Sequence, residues 1–122
     1  MANTFTIRDI LLVDFPPQTP ALHEQQGIRP AVVVGRPSNT GTMRFELVIV
    51  VPITRQSGDW TAQNPILYPS LQAGMGNIRY DSTVLLDPIR AVDIKRVLGY
   101  RGDLTAEEYQ PIANGLKAML GF

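Results

Sequence analysis

The sequence predicts a mainly β domain: a small antiparallel barrel or twisted sheet with one C-terminal helix laid on it. Two observations carry this. Apolar, β-branched runs of strand length recur at Asp9 to Phe15, Ala31 to Gly35, Phe45 to Ile53 and Thr83 to Leu86, separated by proline, glycine and other turn formers. Helical spacing of apolar residues occurs once, behind a capping signal near the end of the chain. With 122 residues and 44% apolar content, one hydrophobic core is expected, and residues 1–122 are read as a single domain.

Asp9 to Phe15 reads as the first strand, stopped by Pro16 and Pro17. Residues 16–30, with four prolines and one glycine, make a long connection of the kind that is usually functional or disordered. Ala31 to Gly35 is too uniformly apolar to be half exposed and is predicted as a central strand. It ends in the turn formers Arg36 to Gly41. Phe45 to Ile53 is the longest β-branched run, with Pro52 lacking a ladder donor near its end. Thr54, Arg55 and Gln56 then leave the sheet together.

Ser57 to Asn64 reads as a polar loop around Trp60, Ile66 to Tyr68 as a short strand closed by Pro69, and Leu71 to Asp81 as an exposed connection. Thr83 to Leu86 is a buried strand ending at Asp87 and Pro88. Val92 to Leu98 alternates apolar and polar residues like a strand with one wet face, and Gly99 to Gly102 reads as a turn. Thr105 and Glu108 have the spacing of a capping box. Tyr109, Ile112, Ala113, Leu116, Met119 and Leu120 then mark the buried face of a helix. Pro111 cannot donate to Glu107, so a kink or a delayed start is expected there.

The formal net charge is zero, but the cations gather in the middle. Residues 29–101 carry eight Arg and one Lys against five acids, and each flank has two more acids than bases. Nine of the eleven basic residues are arginines, which suit bidentate contacts to phosphate; a solvated surface is the other reading. There is no apolar run of membrane-spanning length and no basic-then-apolar leader at Met1 to Thr4, so a cytoplasmic protein without a membrane partner is expected. The absence of cysteine excludes disulfides, thiolate metal sites and cysteine nucleophiles, and a lone histidine excludes a two-histidine acid/base pair within one chain.

The sequence also lacks a GxxxxGK[ST] phosphate loop, an HExxH motif and a GxSxG elbow. Arginine, hydroxyl and carboxylate chemistry remain. An arginine can hold a phosphodiester and a strand-end hydroxyl can donate to the same oxygens. Cleavage of RNA by its own 2'-hydroxyl needs little more, and neither a metal nor a cofactor is expected.

The densest polar stretch is His23, Glu24, Gln25, Gln26, Gly27, Ile28, Arg29, Pro30, set against the Ala31 to Val34 run. Together with Asp9 to Pro16, the Val51, Pro52, Ile53, Thr54 segment with Gln56, and Leu86, Asp87 through Arg90 to Asp93, it resembles the MazF/PemK (Kid) family. These toxins are the endoribonuclease half of type II toxin–antitoxin pairs. The pieces occur in the family's order and span Asp9 to the terminal helix. The resemblance implies an SH3-like barrel of the CcdB/MazF type and a homodimer that cuts single-stranded RNA sequence-specifically, without metal, leaving a 2',3'-cyclic phosphate. It also implies an acidic antitoxin that occupies the RNA groove.

By the same resemblance Arg29 is the principal catalytic arginine and Thr54 its hydroxyl partner. Glu24 and His23 line the same pocket, and Gln25 and Gln56 position RNA. Asp87 matches a carboxylate with an acid/base role. Three positions depart from the pattern: Leu85 replaces an arginine, Pro88 a glutamine, and Arg8 a glycine before the first strand. Taken alone, Arg29 would serve equally as an ion-pair partner of Glu24 or Asp14, and Thr54 as a strand-end hydroxyl satisfying a neighbouring backbone group. Arg55, Arg79 and Arg90 are candidate phosphate contacts, and Trp60, Tyr68 and Tyr80 either stack on bases or fill core. The alternative function is a non-catalytic module on the same fold, acting on a protein partner as gyrase-poisoning toxins do, or binding RNA without turnover.

Overall fold

The computed structural model describes residues 5–17 and 27–122. Its strands are β1 (Asp9–Phe15), β2 (Gly27–Gly35), β3 (Leu47–Thr54), β4 (Ser70–Leu71), β5 (Ser82–Val84), β6 (Arg90–Asp93) and β7 (Val97–Asp103). Two helices join them, the single turn α1 (Asp59–Ala62) and the long α2 (Ala106–Leu120). Among the described residues, the strands follow the order β4-β5-β3-β2-β1-β7, and β6 pairs with β3 off this path. Every pairing is antiparallel, giving the expected mainly β half-barrel with a terminal helix.

The apolar runs are unbroken because both faces of the sheet are covered. Side chains alternate from one face to the other along a strand. Ile10, Val32, Val51 and Ile53 enter one cluster with Leu86, Leu104, Ile112 and Leu116. Leu11, Val13, Ala31, Val33, Val48 and Val50 enter another with Phe5, Phe15 and Val92. Helix α2 closes the first cluster through Ile112 and Leu116, whereas Ile94 and Val97 pack against the second. No helix among the described residues is long and apolar enough to cross a membrane.

Strand β3 serves two partners along one edge. Leu47 to Val50 pair with β6, and Ile53 and Thr54 pair with β5. Pro52 stands at the changeover, where its missing donor costs least, and its carbonyl accepts from Leu85 N at 2.9 Å.

Helix α2 begins where the capping box predicts. Thr105 Oγ1 accepts from Glu108 N at 3.1 Å, and Glu108 Oε1 accepts from Thr105 N at 2.9 Å. The start is not delayed to Pro111, which lies inside the helix. Ile112 and Leu116 are buried, but Leu120, expected on the same face, is 51% exposed.

Four other expectations are corrected. Strand β2 starts at Gly27, four residues before Ala31. Ile66 to Tyr68 is a turn rather than a strand, tied by Tyr68 N donating to Asn64 O at 2.9 Å. The Val92 to Leu98 strand is two strands with a tight turn at Ile94–Arg96, capped by Asp93 Oδ1 accepting from Lys95 N at 2.9 Å. Gly99 to Gly102 continue β7 instead of turning the chain. Gly102 is required there for another reason: a Cβ on it would strike the Gly76 carbonyl.

Candidate active site

Strand β2 carries Arg29 opposite Val13 of β1, and Ala31 opposite Pro52 of β3. Continuing the second pairing by two residues sets Arg29 across from Thr54, the last residue of β3. Antiparallel neighbours in that relation point to one side of the sheet. Arg29, Thr54, Arg55, Gln56, Tyr80 and Asp81 line one cleft of about 550 Å³. Residues from three separated stretches of sequence thus meet at a sheet end.

Thr54 is a buried polar residue, 7% exposed. Its Oγ1 accepts from Gln56 N at 3.1 Å, the local turn in which the chain leaves the sheet. A hydroxyl with one lone pair held by a backbone N–H keeps its own hydrogen for a second partner. The structural role and the donor role are therefore compatible in one side chain.

The other wall is charged and aromatic. The Arg55 guanidinium lies over the Tyr80 ring, 4.3 Å from its centroid, and Tyr80 is 55% exposed. Stacking keeps Arg55 extended and leaves its hydrogen-bond donors at the rim. Asp81 spends its Oδ1 on Ala73 N at 2.8 Å, fixing the connection between β4 and β5. Arg55 and Asp81 also line an adjoining hollow of about 350 Å³ with Tyr68, Ser70, Ser82 and Thr83. The two hollows form one groove across the ends of β3 and β5.

The remaining expected residues that the structure describes do not line the Arg29–Thr54 cleft. Asp87 is not among the described residues lining either hollow; its Oδ2 accepts from Tyr68 OH at 2.7 Å. Arg90 sits on β6 with its guanidinium 5.8 Å from the Phe15 ring centroid. Arg79 is exposed. Trp60 packs edge-on against Tyr68, with ring centroids 5.1 Å apart, and stays 42% exposed, so it is not core. His23, Glu24 and Gln25 lie outside the described residues.

Residues 7–120 match the PemK-like, MazF-like toxins of type II toxin–antitoxin systems. The chain belongs to this family. The fold agrees with that membership: MazF from Deinococcus radiodurans superposes with a TM-score of 0.75 at 24% identity, covering 99% of this chain and 100% of that one. A MazE–MazF complex from the same organism gives 0.70 at 23% identity, covering 99% of each chain. A mycobacterial endoribonuclease bound to its cognate antitoxin gives 0.65 at 16% identity, covering 96% of this chain and 94% of that one. No curated protein matches the chain in sequence.

Within this MazF-like fold, two cleft residues were not singled out for the site from sequence: Asp81, and Tyr80 beyond its aromatic character. The available signal was their place directly before the buried β5 strand, where a polar pair must face outward. A third feature is conformational. Gly27 begins β2 opposite Phe15 with φ of 84°, a backbone state that costs an L-residue about 1–2 kcal/mol. Gly27→Ala is expected to lower stability by about 1 kcal/mol in chemical denaturation. No described residue lies within 4 Å of an added Cβ, so the expected loss is that of the backbone state.

The Tyr68–Asp87 bond has a pH signature. Hydrogen bonding to Asp87, then burial, raises the Tyr68 phenol above its ordinary value of 10.0. A raised folded pKa contributes stability that is complete below the unfolded value and lost as pH rises through the folded one. Thermal stability should therefore fall above about pH 10, and Tyr68→Phe should make that fall shallower. Equal slopes in the two proteins would remove the bond from the alkaline transition.

Proposed function

We propose that the chain is a toxin that cleaves single-stranded RNA sequence-specifically and without a metal ion, at the cleft between Arg29 and Thr54. The observation that carries this reading is the meeting of a guanidinium, a backbone-anchored hydroxyl and the Arg55–Tyr80 stack in one groove. The substrate's 2'-oxygen attacks the adjacent phosphorus, forming the P–O2' bond as the P–O5' bond breaks. A 2',3'-cyclic phosphate and a 5'-hydroxyl result. Negative charge grows on the phosphoryl oxygens of the pentacoordinate centre, where Arg29 and the Thr54 hydroxyl donate. Because the nucleophile belongs to the substrate, no metal-bound water has to be generated.

In this reading Glu24 and Asp87 are the carboxylates assigned to proton transfer. His23 lines the pocket, and Gln25, Arg55, Gln56 and Arg90 hold the RNA. Tyr80, exposed beside Arg55, gives an unpaired base a surface to stack on. The protein acts in the cytoplasm as a symmetric homodimer. An acidic antitoxin neutralises it by filling the same groove, whose Arg29 and Arg55 attract carboxylates as they attract phosphates; the antitoxin-bound neighbours support that pairing.

Thr54→Val keeps the shape of the side chain and removes both the donor and the acceptor that holds Gln56 N, so cleavage should slow about tenfold or more, the loss of at least ~1.4 kcal/mol at the transition state. The whole reading is tested by incubating end-labelled RNA with the protein in excess chelator and identifying the new termini. Cyclic phosphate and 5'-hydroxyl ends are expected. Intact RNA, or cleavage only after divalent metal is restored, would overturn it; intact RNA with retained growth inhibition would favour a toxin acting on a protein partner.

A further inference from the structure

A second cationic cleft opens at the opposite end of the β1–β2 pair. Arg8 directly precedes β1 and Arg36 directly follows β2, while Arg29 sits opposite Val13. The four residue steps from Asp9 to Val13 separate the two ends by about 13 Å along the strand. This cleft measures about 660 Å³ and is lined by Arg8, Arg36, Ser38, Asn39 and Tyr109, with the apolar Phe5 and Ile7 flanking Thr6. None of these residues lines the Arg29–Thr54 groove.

The turn that presents Arg8 is tightly fixed. Arg8 has φ of 86°, and the only other non-glycine residue in that state among the described ones is Asn77. Arginine gains nothing locally from left-handed backbone, unlike asparagine. The conformation is held from outside: Arg8 N donates to Val33 O at 2.9 Å and Leu104 N donates to Arg8 O at 2.9 Å. Asp9 Oδ2 accepts from Thr6 N at 2.8 Å, which closes the turn and occupies the nearest carboxylate.

Across the cleft, Arg36 Nη2 donates to Ser38 Oγ at 3.2 Å, one of its five donors. Tyr109 stands on the third side from the first turns of α2. Burial pushes its phenol up and the Arg8 charge pulls it down, and both residues line this one cleft. Glu108, the adjacent acid on α2, is tied to Thr105 N at 2.9 Å.

We propose that this cleft binds a terminal phosphate group carried on a small organic body, the chemistry of a mononucleotide. Two arginines lining one hollow, Arg8 and Arg36, offer guanidinium donors for the several acceptor oxygens of a phosphate monoester. Ser38 and Asn39 add neutral donors, and Phe5, Ile7 and Tyr109 suit the attached ring system. The volume lies in the range that encloses a small ligand. The phosphate can come from a free mononucleotide or from the 5' end of an RNA strand; the cleft reads the same group in either.

Isothermal titration of the full chain with 5'-AMP, with inorganic phosphate, and with a short RNA bearing or lacking a 5'-phosphate tests this. Arg8→Gly removes the charge while suiting the left-handed backbone, so its thermal midpoint should be no lower than wild type. Arg8→Gly and Arg36→Gln should each weaken AMP binding about tenfold or more. Both should leave RNA cleavage unchanged. Tight binding only to the 5'-phosphorylated RNA, lost in the same two variants, would support the cleft with the RNA end as its source. Absence of binding to every probe, binding unchanged in both variants, or binding lost on Arg29→Ala instead would overturn the proposal. Since cleavage is measured separately, failure here leaves the Arg29–Thr54 reading standing.

Discussion

Arg29→Ala is expected to slow RNA cleavage about 10²–10³-fold, while leaving the protein folded. The residue is half-buried on β2, and its neighbours in the ladder, Val13 and the Ala31–Pro52 pair, are held by backbone hydrogen bonds that do not involve the guanidinium. What is lost is a charged donor aimed at oxygens that become more negative in the transition state than in the bound substrate. An interaction realised mainly at that point lowers kcat more than it raises KM. Arg29→Lys should recover only part of the rate, because an ammonium keeps the charge but not the planar fork. The double variant with Thr54→Val should lose less than the two single losses multiplied, since both donors act on one phosphoryl group. A wild-type rate in Arg29→Ala would move catalysis away from this cleft.

Gly115→Val should lower stability by about 2 kcal/mol, seen as a fall in thermal midpoint of roughly 6–10 °C. Helix α2 lies so close to the chain beneath it that a Cβ at Gly115 would meet Leu86 Cδ1 and the Ile66 carbonyl oxygen. Leu86 is fully buried in the cluster that Ile112 and Leu116 complete, so it has little room to move. The Ile66 oxygen is backbone and cannot swing aside. Helix propensity favours valine over glycine by a few tenths of a kcal/mol. Overpacking of about 1–3 kcal/mol outweighs that gain. An unchanged midpoint would mean that α2 can lift off this turn without cost.

The elements whose cause is local were legible in the sequence. Strand β1 has the predicted bounds, because two prolines stop it and a continuous apolar run fills both faces. The start of α2 was legible for the same kind of reason, since the Thr105–Glu108 reciprocal bonds depend on spacing alone. Misreadings arose where a distant part of the chain decides. The glycines of β7 read as turn formers, but Gly102 is small because the Gly76 carbonyl passes against it. The alternation through Val92 to Leu98 concealed a corner, and its signal was Asp93, whose short carboxylate caps the turn. Ile66 to Tyr68 carried strand-forming residues into a segment whose backbone bonds close back on Asn64.

The site divides along the same line. The family resemblance paired Thr54 with Arg29, but their physical meeting depends on the register between β2 and β3, which propensity does not encode. The sheet supplies it through the Ala31–Pro52 pairing. Arg55 was expected as a phosphate contact and lies on the cleft wall; the ring beneath it, Tyr80, comes from the far end of a long connection. Asp87, expected as an acid/base carboxylate, accepts a hydrogen bond from Tyr68, which lines the adjoining hollow.

The most direct test of the central claim uses the substrate rather than the protein. Once the cleaved bond in a reference RNA is mapped, a copy carrying a single 2'-deoxy residue on the 5' side of that bond removes the proposed nucleophile and nothing else. The Arg29–Thr54 mechanism predicts that this strand binds like the all-ribose RNA and stays intact. Cleavage of the deoxy strand at the same bond would show that water, not the 2'-hydroxyl, attacks the phosphate, and would contradict the account.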